Sequence, residues 1–263
     1  MDAYAGFAEV YDLFMDNVPY EEWKEHICKL LAEYGIKEGL LLDLGCGTGT
    51  MTRLLAGEGF DMIGVDVSPE MLEIARDKEP ENSSVLYLCQ DMRSFELYGT
   101  VGAVVSICDA MNYLLTEEDL IQVIRLVNNY LDPDGIFLFD LNTVYKYEEL
   151  LGDATIAENR EEGSFIWEND YDRDTHLNEY DMTFFIKEKE LYRKYEEVHV
   201  QRAYSLAEIE EAIAAGGMKL EKILDAQTLQ APVRGTERVY VIAREQGKNT
   251  NVENLKNESR KNG

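Results

Sequence analysis

The stretch LLLDLGCGTGT, Leu40 to Thr50, constrains the fold more than any other part of the chain. An apolar run ends at Asp43 and meets Gly45-Cys46-Gly47-Thr48-Gly49, and a helical pattern opens at Thr50. Glycines there permit positive φ and let a ligand come close to the backbone. A helix beginning just beyond aims its free N–H groups at the same place. The residues that follow supply neighbours for this first strand. Leu40–Leu44, Asp61–Val67, Val85–Cys89, Ala103–Ile107 and Ile136–Leu141 read as strands. Thr50–Ala56, Pro69–Lys78 and Glu117–Tyr130 read as helices, the last with Leu120, Ile121, Val123, Ile124 and Val127 as its apolar positions. Asp132-Pro133-Asp134-Gly135 reads as a turn. This β-α-β-α rhythm predicts an α/β protein, Rossmann-like, with a mostly parallel sheet and helices on both faces.

The pattern then changes. From about Gly163 to Tyr204 the chain reads as strands without helices between them, with a hairpin turn at Lys187–Glu190. That predicts an antiparallel β-meander inserted into the parallel domain. Ser205 with Glu208 forms a capping box for a helix through Ala214, and Gly216-Gly217 ends it. Lys219–Leu224 and Arg238–Ala243 read as closing strands. The expected organisation is one domain over residues 1–244, with an N-terminal lid over 1–35 and the inserted β subdomain at about 155–204. Residues 245–263, rich in Asn, Lys and Glu, are expected to be a disordered tail.

Charge restricts the partners. Twenty-five Lys and Arg stand against 52 Asp and Glu, a net charge of −27. Such a field repels nucleic-acid backbones and anionic membrane surfaces, and it suits a neutral or cationic small-molecule substrate. No apolar run approaches the ~18 residues of a membrane span. The start, MDAYAGFAEVYD, lacks a basic segment followed by an apolar one, so no signal peptide and a cytoplasmic location are expected. Cys28, Cys46, Cys89 and Cys108 contain no CxxC pair, and His26, His176 and His199 show no ligand spacing, so no metal is expected. The oligomeric state is not legible.

The spacing of the glycines bears on the ligand. A dinucleotide fingerprint, Gly-x-Gly-x-x-Gly, would need glycine where Thr50 stands. Asp43 beside the turn suits a ligand with an ammonium end and is a poor neighbour for a pyrophosphate. Asp66, closing the second strand, is placed to accept both ribose hydroxyls of a nucleoside. After the third strand, Asp91 could accept from an adenine amino group and Met92 could pack on the ring.

Asp43-x-Gly-x-Gly-x-Gly, Asp66 and Asp91-Met92, in this order, resemble the class I S-adenosylmethionine-dependent methyltransferases. The resemblance implies a seven-stranded sheet and S-adenosyl-L-methionine as cofactor. It implies that Asp43 and the Gly45–Gly49 backbone, with Gly45, Cys46 and Gly47 foremost, hold the methionine part, Asp66 the ribose and Asp91-Met92 the adenine, with Val67 also on the cofactor and Cys108 near the sulfonium side. YAGFAEVYDLF, CDAMNYL, FDLNT and the late β-insert are similar to a small-molecule subgroup that includes aminosugar N-methyltransferases. In those enzymes the resemblance suggests a tyrosine three residues after the Tyr-Asp pair, where Met15 stands here.

Methyl transfer from a sulfonium is an in-line displacement with a neutral leaving group. Orientation supplies most of the acceleration, roughly 7–11 kcal/mol at best. The acceptor, at N or O, must present a free lone pair, so a base helps. Asp109, past the fourth strand, is the candidate substrate anchor or base, and His199 on the insert is the histidine best placed for proton removal. Tyr11 and Tyr20 belong to the expected lid, where a ring face near a sulfonium is favourable. Asn112 and Tyr113 either line the pocket or begin a helix, and Asp140 and Asn142 end the fifth strand near the substrate. Trp167 and Phe184 read as insert core, and Arg202 as a neutraliser of nearby carboxylates. Two rival readings stand beside this one: an NAD-linked oxidoreductase, and a non-enzymatic module that binds S-adenosylmethionine.

Overall fold

In the computed structural model, Phe14 and residues 18–248 are described. Among these described residues, eleven strands form two sheets. The larger is built from β1 (Gly39–Leu44), β2 (Phe60–Asp66), β3 (Leu86–Cys89), β4 (Val101–Ser106), β5 (Leu131–Asn142), β10 (Lys219–Asp225) and β11 (Arg238–Arg244). Its order is β10-β11-β5-β4-β1-β2-β3, with all pairs parallel except those that β11 makes. The seven-stranded, mostly parallel sheet is thus as expected.

Alternation along the strands separates two cores. Leu41, Ala103, Val105 and Ile242 pack on one face against Ile27, Leu30 and Leu31 of α1 (Tyr20–Glu33) and Leu55 of α2 (Thr50–Gly57). Leu42, Val104, Phe137 and Val241 pack on the other against α4 (Glu117–Tyr130) and α5 (Leu206–Ala215). Helix α3 (Pro69–Asp77) is capped by Ser68, whose hydroxyl accepts from Met71 N. Ser205 and Glu208 form the expected capping box on α5. The turn at Asp132–Gly135 survives as a bulge within β5: Val101 pairs with Leu131 and Ala103 with Ile136, and Asp134 takes φ 64°.

The smaller sheet is the antiparallel insert, in the order β6 (Thr155–Asn159), β7 (Gly163–Asp172), β8 (Leu177–Glu188), β9 (Leu191–Arg202). A second hairpin turn, with His176 at φ 60°, joins β7 to β8 and had no clear sequence signal. The chain leaves the parallel sheet beyond Asn142 and returns at Tyr204, which bridges to Thr143.

Two segments differ from expectation. Residues 20–33, read as part of a lid, form a helix of the core itself. Glu245 to Lys248, read as the start of a disordered tail, are held in the fold. Glu245 is buried and accepts from the backbone N–H groups of Asp134 (3.1 Å) and Lys248 (2.8 Å). Lys248 Nζ donates to the carbonyls of Asn128 and Asn129, which the end of α4 leaves without helical partners, and to that of Leu131 at the start of β5. Residues 249–263, together with Tyr4, Tyr11 and Met15, lie outside the described residues. Arg202 does neutralise carboxylates, with Nη2 at 3.2 Å from Glu117 and 2.9 Å from Glu208.

Candidate active site

The glycine turn after β1 is shaped by its neighbours. Gly45, Gly47 and Gly49 take φ of 81°, 53° and 75°, values that side chains disfavour. A Cβ on Gly45 would stand 2.6 Å from the Cβ of Ala110, so the turn after β1 and the turn after β4 are in direct contact. Gly45→Ala is therefore expected to lower stability by about 1–3 kcal/mol and to displace the β4 turn. Chemical denaturation checks the first effect, and the amide chemical shifts of residues 108–113 check the second.

Around this turn stand three carboxylates in different environments. Asp66 accepts from Gly47 N (2.8 Å) and Ser68 N (2.9 Å), which fixes its orientation. Burial pushes its carboxyl up, against the pull of those N–H groups. Asp91, nearer the surface, is gripped by the Arg93 side chain, with Nη2–Oδ2 at 2.6 Å and Nε–Oδ1 at 3.0 Å. The Arg93 fork holds it below the usual carboxylate range. Asp43 is buried, and Thr52 Oγ1 donates to it at 2.5 Å. Burial pushes its carboxyl up to about 7, the Thr52 hydroxyl opposing. No basic side chain among the described residues forms an ion pair with Asp43. A buried acid without a cation, beside an open glycine backbone, fits a ligand that brings its own ammonium. Gly47 supports the fit, because nothing lies within 4 Å of where its Cβ would be.

The far side of the site is built on backbone strain. Cys108 and Asp109 are consecutive left-handed residues, φ 67° and 55°, at the tip of β4. Asp140 of β5 holds them there. Its Oδ2 accepts from Cys108 N at 3.1 Å and its Oδ1 from Asp109 N at 2.8 Å. Arg238 of β11 bridges the two acids, with Nη1 at 2.5 Å from Asp140 Oδ2 and Nη2 at 2.8 Å from Asp109 Oδ1. Its guanidinium lies 5.0 Å over the Trp23 ring. Gln201 Nε2, from the insert, donates to the other Asp109 oxygen at 2.7 Å. The hydroxyls of Tyr147 and Tyr180 in turn donate to Gln201 Oε1 at 2.6 and 2.8 Å. Asp109 is thereby fixed from both sheets. Lys146 Nζ donates to Asn142 Oδ1 at 3.0 Å, and burial lowers its pKa.

His199 sits on β9, buried, with Nδ1 at 3.3 Å from the Tyr113 hydroxyl. Its Nε2 is 3.5 Å from Oε2 of Glu197, also buried. Tyr20 Oη lies 3.9 Å from Cys108 Sγ.

One cavity of about 990 Å³ joins these parts. Tyr20, Asp43, Gly45, Cys46, Gly47, Asp66, Val67, Asp91, Met92, Cys108, Asp109 and His199 all line it. Of the site residues expected from sequence, Tyr11 alone lies outside the described residues. The cavity lies at the upper end of the usual range for ligand pockets. The insert roofs it through Trp167, Met182, His199 and Gln201. Asn112 packs instead of lining the cavity, exchanging hydrogen bonds with the backbone of Asn142.

Sequence reasoning missed Arg238, Gln201 and Glu197. The last two share a face of β9 with His199 at a spacing of two, a signal that was present. Arg238 gave no local signal, since its acidic partners lie about a hundred residues away.

Comparison with known proteins gives the same reading. A family model described as a methyltransferase domain matches residues 41–135. The chain is 37% identical over 241 residues to the Bacillus subtilis protein named "Putative methyltransferase YqeM", covering 91% of this chain and 96% of that one. It is 28% identical over 221 residues to a Streptomyces venezuelae dTDP-3-amino-3,4,6-trideoxy-alpha-D-glucopyranose N,N-dimethyltransferase, covering 81% of this chain and 90% of that one. Among solved structures, an S-adenosylmethionine-dependent methyltransferase from Clostridium acetobutylicum superposes with a TM-score of 0.82 at 28% identity, over 94% of this chain and 100% of that one. The oxidoreductase and non-enzymatic readings give way to these likenesses, and the acidic, glycine-lined cradle agrees with them. The chain belongs to the S-adenosylmethionine-dependent methyltransferases.

Proposed function

We propose that this enzyme methylates the nitrogen of a small amine-bearing molecule held between the two sheets. S-adenosylmethionine, when bound, supplies an electrophilic methyl group on a sulfonium. In this reading Asp43 takes the ammonium of the methionine part, with the Gly45–Cys46–Gly47 backbone alongside. Asp66 and Val67 take the ribose, and Asp91 and Met92 the adenine. Tyr20 and Cys108 stand beside the sulfonium. Asp109 anchors the acceptor amine. Both its oxygens are already engaged, by Arg238 and Gln201, so it orients by charge and is a poor proton acceptor. His199 takes the proton at Nδ1, directly or through the Tyr113 hydroxyl, and Glu197 stabilises the imidazolium that results.

The observation that carries the reading is that Asp109 and His199, from different sheets, line the same cavity as the acidic glycine cradle. The N-dimethyltransferase relative favours nitrogen over oxygen as the acceptor atom. The test is transfer of a labelled methyl group across a panel of small amines and alcohols. Methylation confined to alcohols would overturn the nitrogen assignment. With a responsive amine in hand, His199→Gln is expected to lower kcat by roughly 10²–10⁴-fold and to leave S-adenosylmethionine affinity unchanged. A parallel fall in cofactor affinity would remove His199 from the acceptor side.

A further inference from the structure

We propose that the acceptor is amphipathic, an amine on an apolar body, with its head toward Asp109 and its body along the inner face of β7 and β8. The inference rests on the methyl-transfer reading above and adds the class of acceptor to it.

Strand register arranges the inner face of the insert in rows. Nearest the parallel sheet, Tyr171, Asn178 and Gln201 lie abreast, and Gln201 touches Asp109. The next row is Asn169, Tyr180 and His199. Beyond it come Ile156, Trp167, Met182 and Glu197, and last Glu158, Phe165, Phe184 and Tyr195. Along β7 and β8 the inner face thus turns apolar with distance from Asp109, through Trp167 and Met182 to Phe165 and Phe184. The two carboxylates in the outer rows are accounted for, since Glu197 faces His199 and Glu158 is ion-paired with Arg160.

Ile156, Phe165, Trp167 and Met182 line the cavity and are only half-buried. Phe14 closes the far end, with its ring centroid 5.0 Å from that of Phe165 and 5.8 Å from that of Phe184. Apolar surface left open inside a chamber favours an apolar occupant. Along the outer rows a polyhydroxylated acceptor would find few polar groups, the unpartnered Trp167 Nε1 and the Glu158 carboxylate, so most of its hydroxyls would go unpaired, and each buried unpaired group is costly. An apolar body with a single amine meets the polar rows only at its head, where Asp109 and His199 are.

The test titrates the full chain, loaded with S-adenosylhomocysteine, with ethylamine, butylamine, hexylamine and octylamine by calorimetry. Affinity is expected to rise by between about two- and fourfold per methylene until the chamber is full. Met182→Ser or Ile156→Ser, on the inner face, should flatten that slope. Ile166→Ser, on the outer face of β7, should leave it intact and controls for non-specific binding and for damage to the sheet. Affinity independent of chain length, no binding by any amine, or equal slopes in inner- and outer-face variants would overturn the proposal. Methyl transfer from S-adenosylmethionine is scored separately. A steep slope with no turnover on any acceptor would count against the function and leave the chamber's preference standing.

Discussion

Replacement of Asp43 by asparagine is expected to weaken S-adenosylmethionine binding by roughly 10- to 150-fold, the range of a hydrogen bond to a charged group, and at the same time to make the unliganded protein more stable at pH 8. The two effects share one cause. Burial raises the folded-state pKa of Asp43 to about 7, well above the ordinary carboxylate range. Below about pH 4 the group is protonated in both folded and unfolded chains. As pH rises, the unfolded chain releases the proton first, so stability falls and continues to fall until pH passes 7. The distance between the two pKa values sets a ceiling of ~4 kcal/mol on that loss. Asparagine keeps the shape and the Thr52 hydrogen bond without the charge. At pH 8 the variant should therefore melt several degrees above the wild type, and at pH 4 the difference should vanish. Bound cofactor should close the gap at pH 8, because its ammonium stabilises the ionised acid. Thermal melts at the two pH values, with and without cofactor, read all of this. Unchanged cofactor affinity, or a melting difference independent of pH, would remove Asp43 from the ammonium site.

Arg238→Met is expected to destabilise the protein by about 3–5 kcal/mol, the cost of breaking a buried ion pair from one side. Arg238 is the shared partner of Asp109 and Asp140, and Asp140 is fully buried. Without the guanidinium, the buried Asp140 carboxylate is left beside that of Asp109 with no cation between them. Burial already pushes Asp140 up, with Arg238 the main opposing influence. In the variant that opposition is gone, so stability should recover as acidification protonates Asp140. The triple variant Asp109→Asn, Asp140→Asn, Arg238→Met should regain most of the lost stability at neutral pH. Urea unfolding from pH 5 to pH 8 separates the outcomes. A loss that is flat with pH, or not relieved in the triple variant, would mean that packing on Trp23 accounts for the role of Arg238.

Much of the glycine cradle was legible because its determinants are local. Asp43, the three glycines and the start of α2 lie within a few residues of one another, and the physics of a strand meeting a helix through a tight turn fixes their arrangement. Asp66 and Asp91 follow from their places at successive strand ends. The side of the cavity around Asp109 and His199 was only partly legible. His199 stood out by chemistry, yet its neighbours Glu197 and Gln201 looked like ordinary polar residues of a half-exposed strand. The link from Asp109 to Arg238 depends on β11 lying antiparallel beside β5, with Arg238 opposite Asn142. No periodicity in the sequence encodes that pairing. Trp167 and Phe184 are insert core as read, packed in its two clusters, and they also border the chamber because the insert folds back over the sheet ends. Helix α1 was read as a cover because the tyrosines around it drew attention from Ile27, Leu30 and Leu31, which carry it into the core.

The way the insert is joined to the parallel sheet has a consequence for how such enzymes diversify. The chain departs beyond Asn142 and comes back at Tyr204, beside its point of departure, where Thr143 and Tyr204 bridge. Everything between is a graft with adjoining ends. Exchange of that block between relatives would present a new ceiling to the glycine cradle while the strand order below it stays the same. Gln201 is the stitch such a chimera would have to keep, since it alone ties the ceiling to the Asp109 carboxylate among the described residues.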